Sequence, residues 1–303
     1  MLLSVCNLTK SFNEKEVLKG ISFSVESGSA LGLLGRNGAG KTTTIRIIMQ
    51  LFKPNSGEVL LDGKPIDIRE INIGYMPEER GLYPKKKIME QLIYFAELKG
   101  VNRQEAKERA KELLSKLQLE EYTNSKLMTL SKGNQQKVQL VATLMSNPDI
   151  VILDEPFSGL DPVNAILLKD MVRELIANGK LVIFSSHQMN YIEEFCDNIV
   201  ILKEGQVAVS GSIKEIKRSY TNNRVEIVTD SKSEAKKIFE ESDIVSNIEE
   251  TDIGLLLSLK SGVTKNEIMP IIAKSKLSFT SISDYEPTLS DIFVDYTEGG
   301  QDK

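Results

Sequence analysis

Histidine is nearly missing from this chain: His187, in the stretch VIFSSHQM (182–189), is the only one in 303 residues. A lone imidazole is either a satisfied structural residue or a catalyst, and only its surroundings can decide which. Cysteine is almost as scarce. Cys6 and Cys196 lie far apart and in no CxxC pairing, which excludes a disulfide framework and a thiolate zinc site and suits a reducing compartment. Basic excess is lacking too, with 38 Lys and Arg against 43 Asp and Glu and a net charge of -5. No global field therefore draws the chain onto nucleic acid, and the run Lys85-Lys86-Lys87 reads as a solvated loop. No apolar run approaches the ~18 residues of a membrane span. The opening MLLSVCNLTKSF turns polar too soon for a signal peptide. If the protein works at a membrane, a partner does the spanning. What is present, 41% hydrophobic and 27% charged residues, is ordinary for a globular protein with a core domain and a smaller appendage.

Residues 1 to about 28 alternate polar and apolar positions between turn residues, the pattern of short antiparallel strands. SALGLLG is a buried strand that runs into a glycine-rich loop and the helix KTTTIRIIMQLF, and PNSGEVLLDGKPI predicts a hairpin. From about 86 to 147 the texture becomes that of amphipathic helices: KIMEQLIYFAELKG stops at Gly100, and RQEAKERAKELLSKLQL carries charge pairs three and four apart. DIVILDEP and KLVIFSS, separated by PVNAILLKDMVRELIANG, are unbroken apolar strands around a helix. That alternation implies a parallel sheet whose ligands gather where strands end. A core of residues 1–219 is followed by a polar break near 218–223. A second domain over 222–296 then reads strand 224–229, helix 232–241, strands 244–249 and 253–260, helix 265–275, strand 277–283 and helix 288–296. Capping boxes are predicted at Ser231-x-x-Glu234 and Thr264-x-x-Glu267, with a weaker analogue at Thr288-x-x-Asp291. The βαββαβ order is that of a ferredoxin-like α+β unit. Lacking His, Cys and a glycine loop, it is expected to be structural or interactive, with a disordered tail over 297–303.

GRNGAGKT, Gly35 to Thr42, fits G-x-x-x-x-G-K-[ST] between a predicted strand and a predicted helix. Gly35, Gly38 and Gly40 let the backbone curl so that successive N–H groups of the loop, with Asn37 and Ala39 among the nucleotide-binding candidates, face phosphate oxygens at the positive end of the helix. Lys41 would neutralise the β- and γ-phosphates of a nucleoside triphosphate, the Thr42 hydroxyl would ligate Mg²⁺, and Thr43 is placed to touch the α-phosphate. VILDEP (151–156) sets Asp154 and Glu155 at the end of a buried strand. Asp154 is the candidate Mg²⁺ residue and Glu155 the candidate for polarising the attacking water. Adjacent strand residues point oppositely, so both reach one site only if the chain turns there.

LSKGNQQK (130–137) completes a series of P-loop, signature, Asp-Glu strand, SGLD (158–161) and a histidine after a strand. Over residues 2 to about 218 this order resembles the ATP-binding cassette (ABC) family of transporter ATPases, whose signature loop is LSGGQ. The resemblance implies a P-loop α/β core with an antiparallel β subdomain and a helical subdomain, and two protomers that sandwich two ATPs. It implies that Ser131, Gly133 and Asn134 contact the ATP held by the partner's P-loop, at a helix N-terminus. It carries Phe12 onto the adenine-stacking aromatic, Asp161 onto the loop that signals across the dimer, and His187 onto the γ-phosphate sensor. Glu78, in YMPEERGLYP, falls where most members have a glutamine that meets the metal and the membrane partner.

The chain departs from the family at Lys132 and Asn134, which replace glycine and glutamine of the signature, at Glu78, and at Phe12, which lacks a tyrosine hydroxyl. Lys132 is expected to face solvent. With the α+β tail ending PTLSDIFVDY, these variants look like the bacterial ABC-2-like subgroup that powers export of ions, peptides or drugs. The implied function is an ATPase at the cytoplasmic face of the membrane, a homodimer that drives a separate permease. The alternative is an ABC ATPase of translation or DNA maintenance without a permease; such proteins usually fuse two cassettes or insert a long coiled coil, and this chain does neither. His187→Ala is expected to cut ATP hydrolysis sharply while nucleotide binding is largely kept; unchanged turnover in a phosphate-release assay returns His187 to a structural role.

Overall fold

The computed structural model describes residues 1–79, 81–220, 224–275 and 277–297; the expected tail beyond 297 and part of the 218–223 break lie outside them. Contacts divide the chain into two units, Met1–Ile213 with the end of the chain from Phe293, and Lys214–Ile292.

In the first unit, β1 (Leu2–Phe12) and β2 (Lys15–Glu26) pair as an antiparallel hairpin, longer than the short strands the sequence suggests. Next come β3 (Ala30–Gly35), α1 (Lys41–Ile48), β4 (Ser56–Leu61), β5 (Lys64–Pro65) and β6 (Ile73–Met76). Helices α2 (Ile88–Leu98), α3 (Arg103–Lys116) and α4 (Lys132–Leu144) form the helical stretch. They are followed by β7 (Ile150–Asp154), α5 (Pro162–Ala177), β8 (Leu181–Ser185), α6 (Met189–Phe195), β9 (Asn198–Lys203) and β10 (Gln206–Ser212). One antiparallel sheet has the order β2-β1-β4-β5, and a six-stranded sheet has the order β10-β9-β3-β8-β7-β6. Every neighbour in the second sheet is parallel except β10, which forms an antiparallel hairpin with β9.

The strands at the centre of that sheet have no exposed face: every residue of β3, β7 and β8 is buried. Unbroken apolar runs form here because both faces of these strands are covered, one of them by α1 and the β1–β2 hairpin. One apolar cluster joins β1 and β2 of the first sheet to β3, β7 and β8 of the second through Ile45, Ile47 and Ile48 of α1. Helix α3 buries Ala106, Ala110, Leu113 and Leu114 at helical spacing and is capped by the Asn102 side chain, which accepts from the Glu105 backbone N–H at 2.9 Å.

The second unit begins within α7 (Ile213–Tyr220), ahead of the boundary expected at 219. It continues with β11 (Arg224–Val228), α8 (Lys232–Glu240), β12 (Val245–Glu250), β13 (Gly254–Leu259), α9 (Met269–Lys274) and β14 (Ser281–Asp284), and ends within α10 (Leu289–Thr297). The sheet order β12-β13-β11-β14, antiparallel throughout, is that of a ferredoxin-like unit. Val225, Ile227, Leu255, Leu257 and Phe239 form its separate core.

Two local expectations need correction. The Ser231 side chain makes no cap on α8, whereas the Thr264–Glu267 box forms in full and Asp291 and Thr288 bond reciprocally. The helix expected over 265–275 is a short 3₁₀ turn at Lys265–Glu267 followed by α9, with Pro270 at the start of α9. Proline has no N–H to continue a ladder and is accepted only in a first turn, so the helix restarts there.

At Gly254 an added Cβ would fall 1.9 Å from the Ile227 carbonyl oxygen, a backbone atom that cannot give way without breaking the β11–β13 ladder. Gly254→Ala is therefore expected to destabilise the second unit by about 3 kcal/mol. Calorimetric unfolding of the full chain checks this, and an unshifted melting profile refutes it.

Candidate functional site

The register of the parallel sheet assembles the site. Leu33 of β3 and Asp154 of β7 both pair with Ser185 of β8, so the three strands end at one level and release their loops on the same edge. A cleft of about 670 Å³ opens at that edge. Gly35, Asn37, Gly38, Gly40, Lys41, Thr42 and Thr43 line it from the β3–α1 loop, Glu78 from the loop after β6, Asp154 and Glu155 from β7, and His187 from the turn after β8.

The β3–α1 loop is shaped by backbone that only glycine adopts easily. Gly40 has φ +112° and ends 2.5 Å, measured from an idealised Cβ, from the Leu18 side chain, so any larger residue is both strained and crowded. The turn aims the unpaired N–H groups of the start of α1 into the cleft, where an anion is favoured. Lys41 sits in the same loop and its Nζ donates to the Gly35 carbonyl at 2.5 Å. Ala39 does not line the cleft; it is buried, and its carbonyl accepts from the Gly205 N–H at 3.2 Å.

Asp154 and Glu155 both face the cleft because the chain turns between them: Glu155 has φ +51°, a left-handed conformation uncommon for a side chain of this kind. Such strain costs on the order of 1–3 kcal/mol and persists only where the surroundings impose it. Here the Glu155 N–H donates to the Ser185 carbonyl at 3.0 Å, and its own carbonyl accepts from Ser158 at 3.1 Å. The Asp154 carboxylate accepts from the Ser185 hydroxyl on one oxygen and from the Tyr75 hydroxyl, at 3.4 Å, on the other. Burial first, then the Asp154 charge, pushes the Tyr75 phenol up to about 12, so it remains a donor.

His187 meets Glu155. Its Nδ1 lies 2.9 Å from Glu155 Oε2, the imidazole largely exposed and the carboxylate 7% exposed. Burial pushes the Glu155 carboxyl up, and the hydrogen bond and charge of His187, then Lys41 and the Ser186 hydroxyl, pull it back. A carboxylate in this position can accept a proton from a nearby water, with the imidazole holding it in place. The donor set suits Mg²⁺: the Thr42 hydroxyl with the Asp154 and Glu78 carboxylates supplies only oxygens, and among the described residues no cluster of three or more His, Cys, Asp or Glu forms a cage. Magnesium usually takes one or two carboxylates and completes its shell with phosphate and water.

Phe12 and the signature residues lie elsewhere. Phe12 ends β1 outside the cleft lining, 40% exposed, packed edge-on to Phe52 at 5.3 Å with the Lys10 ammonium over its ring at 5.1 Å. Ser131 caps α4, its hydroxyl accepting from the Asn134 N–H at 3.2 Å, and Lys132 is exposed as expected. Gly133 is buried beside the next loop, where an added Cβ would meet Asn164 at 3.3 Å and Leu160 at 3.4 Å. Asp161 caps α5, accepting from the Val163 and Asn164 N–H groups at 3.0 Å, and the Asn164 hydrogen bonds hold its carboxyl below the usual range. The sequence therefore finds one half of a site around the glycine loop and a second cluster, Ser131, Gly133 and Asp161, that does not line the same chain's cleft. Val17, which lines it, belongs to no motif and was missed. Arg36, an unspecified position of the glycine loop, also lines it, and Tyr75 and Ser185, which hold Asp154, lie within YMPEERGLYP and KLVIFSS with no role assigned there.

Comparison with known proteins finds relatives of both units. Residues 18–158 match the family described as ABC transporter, and residues 211–297 match the C-terminal domain of DrrA1-3-like ATP-binding proteins. An uncharacterised ABC transporter ATP-binding protein of Bacillus subtilis, YhaQ, is 39% identical over 295 residues, covering 97% of this chain and 98% of its own. The linearmycin resistance ATP-binding protein LnrL of the same organism is 30% identical, with 98% of each chain covered. A dimeric structure of a bacterial ABC transporter cassette, MJ0796, superposes with a TM-score of 0.64 at 28% identity, covering 70% of this chain and 98% of that one.

Lys41→Ala is expected to weaken ATP binding at least about tenfold, since a charge-assisted hydrogen bond to phosphate contributes roughly 1.5–3 kcal/mol. Isothermal titration calorimetry checks it, and an unchanged Kd contradicts the phosphate role.

Proposed function

Since the chain belongs to the ATP-binding subunits of ABC transporters and to their family of ATPases, we propose that it works as one half of a dimer that closes around two ATPs and drives a separate export permease. One observation carries the reading: the glycine loop, Asp154, Glu155, Glu78 and His187 share a single cleft, while Ser131 and Asp161 are exposed outside that lining, open to a second copy, with Gly133 buried beside them. That the solved relative MJ0796 is dimeric supports a reading with two copies. Export is supported by the full-length likeness to a resistance protein, which also weighs against a role in translation or DNA maintenance.

The chemistry is in-line attack of water on the γ-phosphorus, assisted by positioning and charge. The N–H groups of the β3–α1 loop and Lys41 hold the phosphates; Thr43 reaches the α-phosphate and Phe12 the adenine. Thr42 and Asp154, with Glu78 beside them, would hold Mg²⁺, which neutralises charge on the phosphates when bound. Glu155 takes the proton of the attacking water. His187 orients Glu155 as found here and contacts the γ-phosphate when ATP is present. Ser131, Gly133 and Asn134 of the second copy close the site over the same phosphate, and Asp161 follows that closure.

In this reading a permease supplies the pathway and the subunit sits against its cytoplasmic side; among the described residues no helix is long and apolar enough to cross a membrane. An apolar groove of about 280 Å³ between the Glu78 loop and α2 and α4, lined by Tyr75, Pro77, Leu82, Phe95 and Leu98, offers that permease a seat beside the site. The exposed Leu98 there, and the exposed Tyr83 stacked on the Phe95 that lines it, suit a partner surface.

Glu155→Gln is expected to bind ATP, lose turnover by about a hundredfold or more, and accumulate as an ATP-held dimer on size-exclusion chromatography. Near wild-type turnover defeats the general-base role.

A further inference from the structure

Helix α4 turns one face toward the loops of its own chain's site. Gly133, Gln136 and Gln139 recur every third residue on it, and each meets a different loop. Gly133 lies against Leu160 and Asn164, which flank Asp161. The buried Gln136 amide donates to the Pro156 carbonyl at 3.2 Å and reaches the Glu155 carbonyl at 3.5 Å. The buried Gln139 amide donates to the Pro77 carbonyl at 2.7 Å and the Glu79 carbonyl at 3.3 Å, spanning Glu78 from both sides. Both glutamines therefore hold backbone, not side chain, of the segments that carry two cleft carboxylates.

These bonds matter because the held segments are not regular structure. Glu155 sits in left-handed backbone just past the end of β7, and Glu78 follows the end of β6. The Glu155 segment leaves the β7–β8 ladder once its own N–H has met the Ser185 carbonyl, and the Glu78 segment lies past the end of β6. A buried carbonyl such as that of Pro156 is costly without a donor. An amide with two N–H donors can serve two carbonyls from one fixed side chain. The helix carrying both amides starts at Ser131, whose hydroxyl caps it.

We propose that Gln136 and Gln139 are positioning residues that make α4 a rigid link between the Ser131 end and the Glu155 and Glu78 segments. A shift of α4 when its Ser131 end engages ATP on a second copy then moves the Glu155 and Glu78 frames of its own cleft. Engagement at one site thereby sets the geometry of the other. The inference rests on the dimeric reading above and adds the route by which the two sites sense each other.

Gln136→Met and Gln139→Met keep the length of the side chain and remove both donors. In the purified full-length chain each is expected to lower kcat about tenfold through misplacement of the carboxylates, to leave KM for ATP within about twofold, and to bring the Hill coefficient for ATP toward 1. A general loss of packing would lower the melting temperature and raise KM together, without singling out cooperativity. Each glutamine variant combined with Glu155→Gln should still form the ATP-held dimer. Wild-type kcat and cooperativity in both variants overturn the inference, as does a kcat loss matched by an equal loss of ATP affinity. If Glu155→Gln alone holds no dimer, the dimeric reading fails and this inference falls with it. If the dimer forms and the glutamine variants behave as wild type, the inference alone is lost.

Discussion

The shared level at which β3, β8 and β7 end is the constraint on which the rest of the site depends. Ser185 pairs with Leu33 on one side and Asp154 on the other, and these strands are buried on both faces, so their register is locked by packing. A slip of one residue would turn Asp154 away from the cleft and separate the glycine loop from the carboxylates. The fixed edge then does three things at once. It opens the start of α1 onto the cleft, sets Asp154 between the Ser185 and Tyr75 hydroxyls, and holds Glu155 in left-handed backbone so that a second carboxylate faces the same space.

Much of this is legible in the residues because the determinants are local. The glycine loop needs its glycines at fixed spacing, and unbroken apolar runs announce buried strands, so Gly35 to Thr43, Asp154, Glu155 and His187 can be named before any coordinates. The ferredoxin-like order of the second unit is legible for the same reason, from alternating strands and helices. What the sequence hides is what depends on distance. Tyr75 reaches Asp154 across the sheet, and Gln136 and Gln139 reach loops 20 and about 60 residues away; no periodicity marks a polar residue in a helix as a clamp on another segment. The missing cap at Ser231 and the broken helix at Pro270 are smaller failures of the same kind, where a motif is present but the backbone around it takes another course.

His187 illustrates how address outweighs abundance. As the only histidine it invites a catalytic reading on scarcity alone, yet scarcity carries no physical content. Its place one turn beyond β8, 2.9 Å from a buried carboxylate that burial drives toward its neutral form, gives it a definite task. In the proposed mechanism the imidazole supplies the hydrogen bond that orients Glu155, a role open to the neutral and the charged ring alike.

The central claim is that one chain carries a cleft that is incomplete until the Ser131 end of a second copy closes it. The most direct measurement is specific ATPase activity across a wide range of protein concentration, with mass determined at each point by analytical ultracentrifugation. The account predicts activity per chain that rises with concentration and tracks the dimer fraction in ATP. Constant activity per chain in samples that remain monomeric would contradict it.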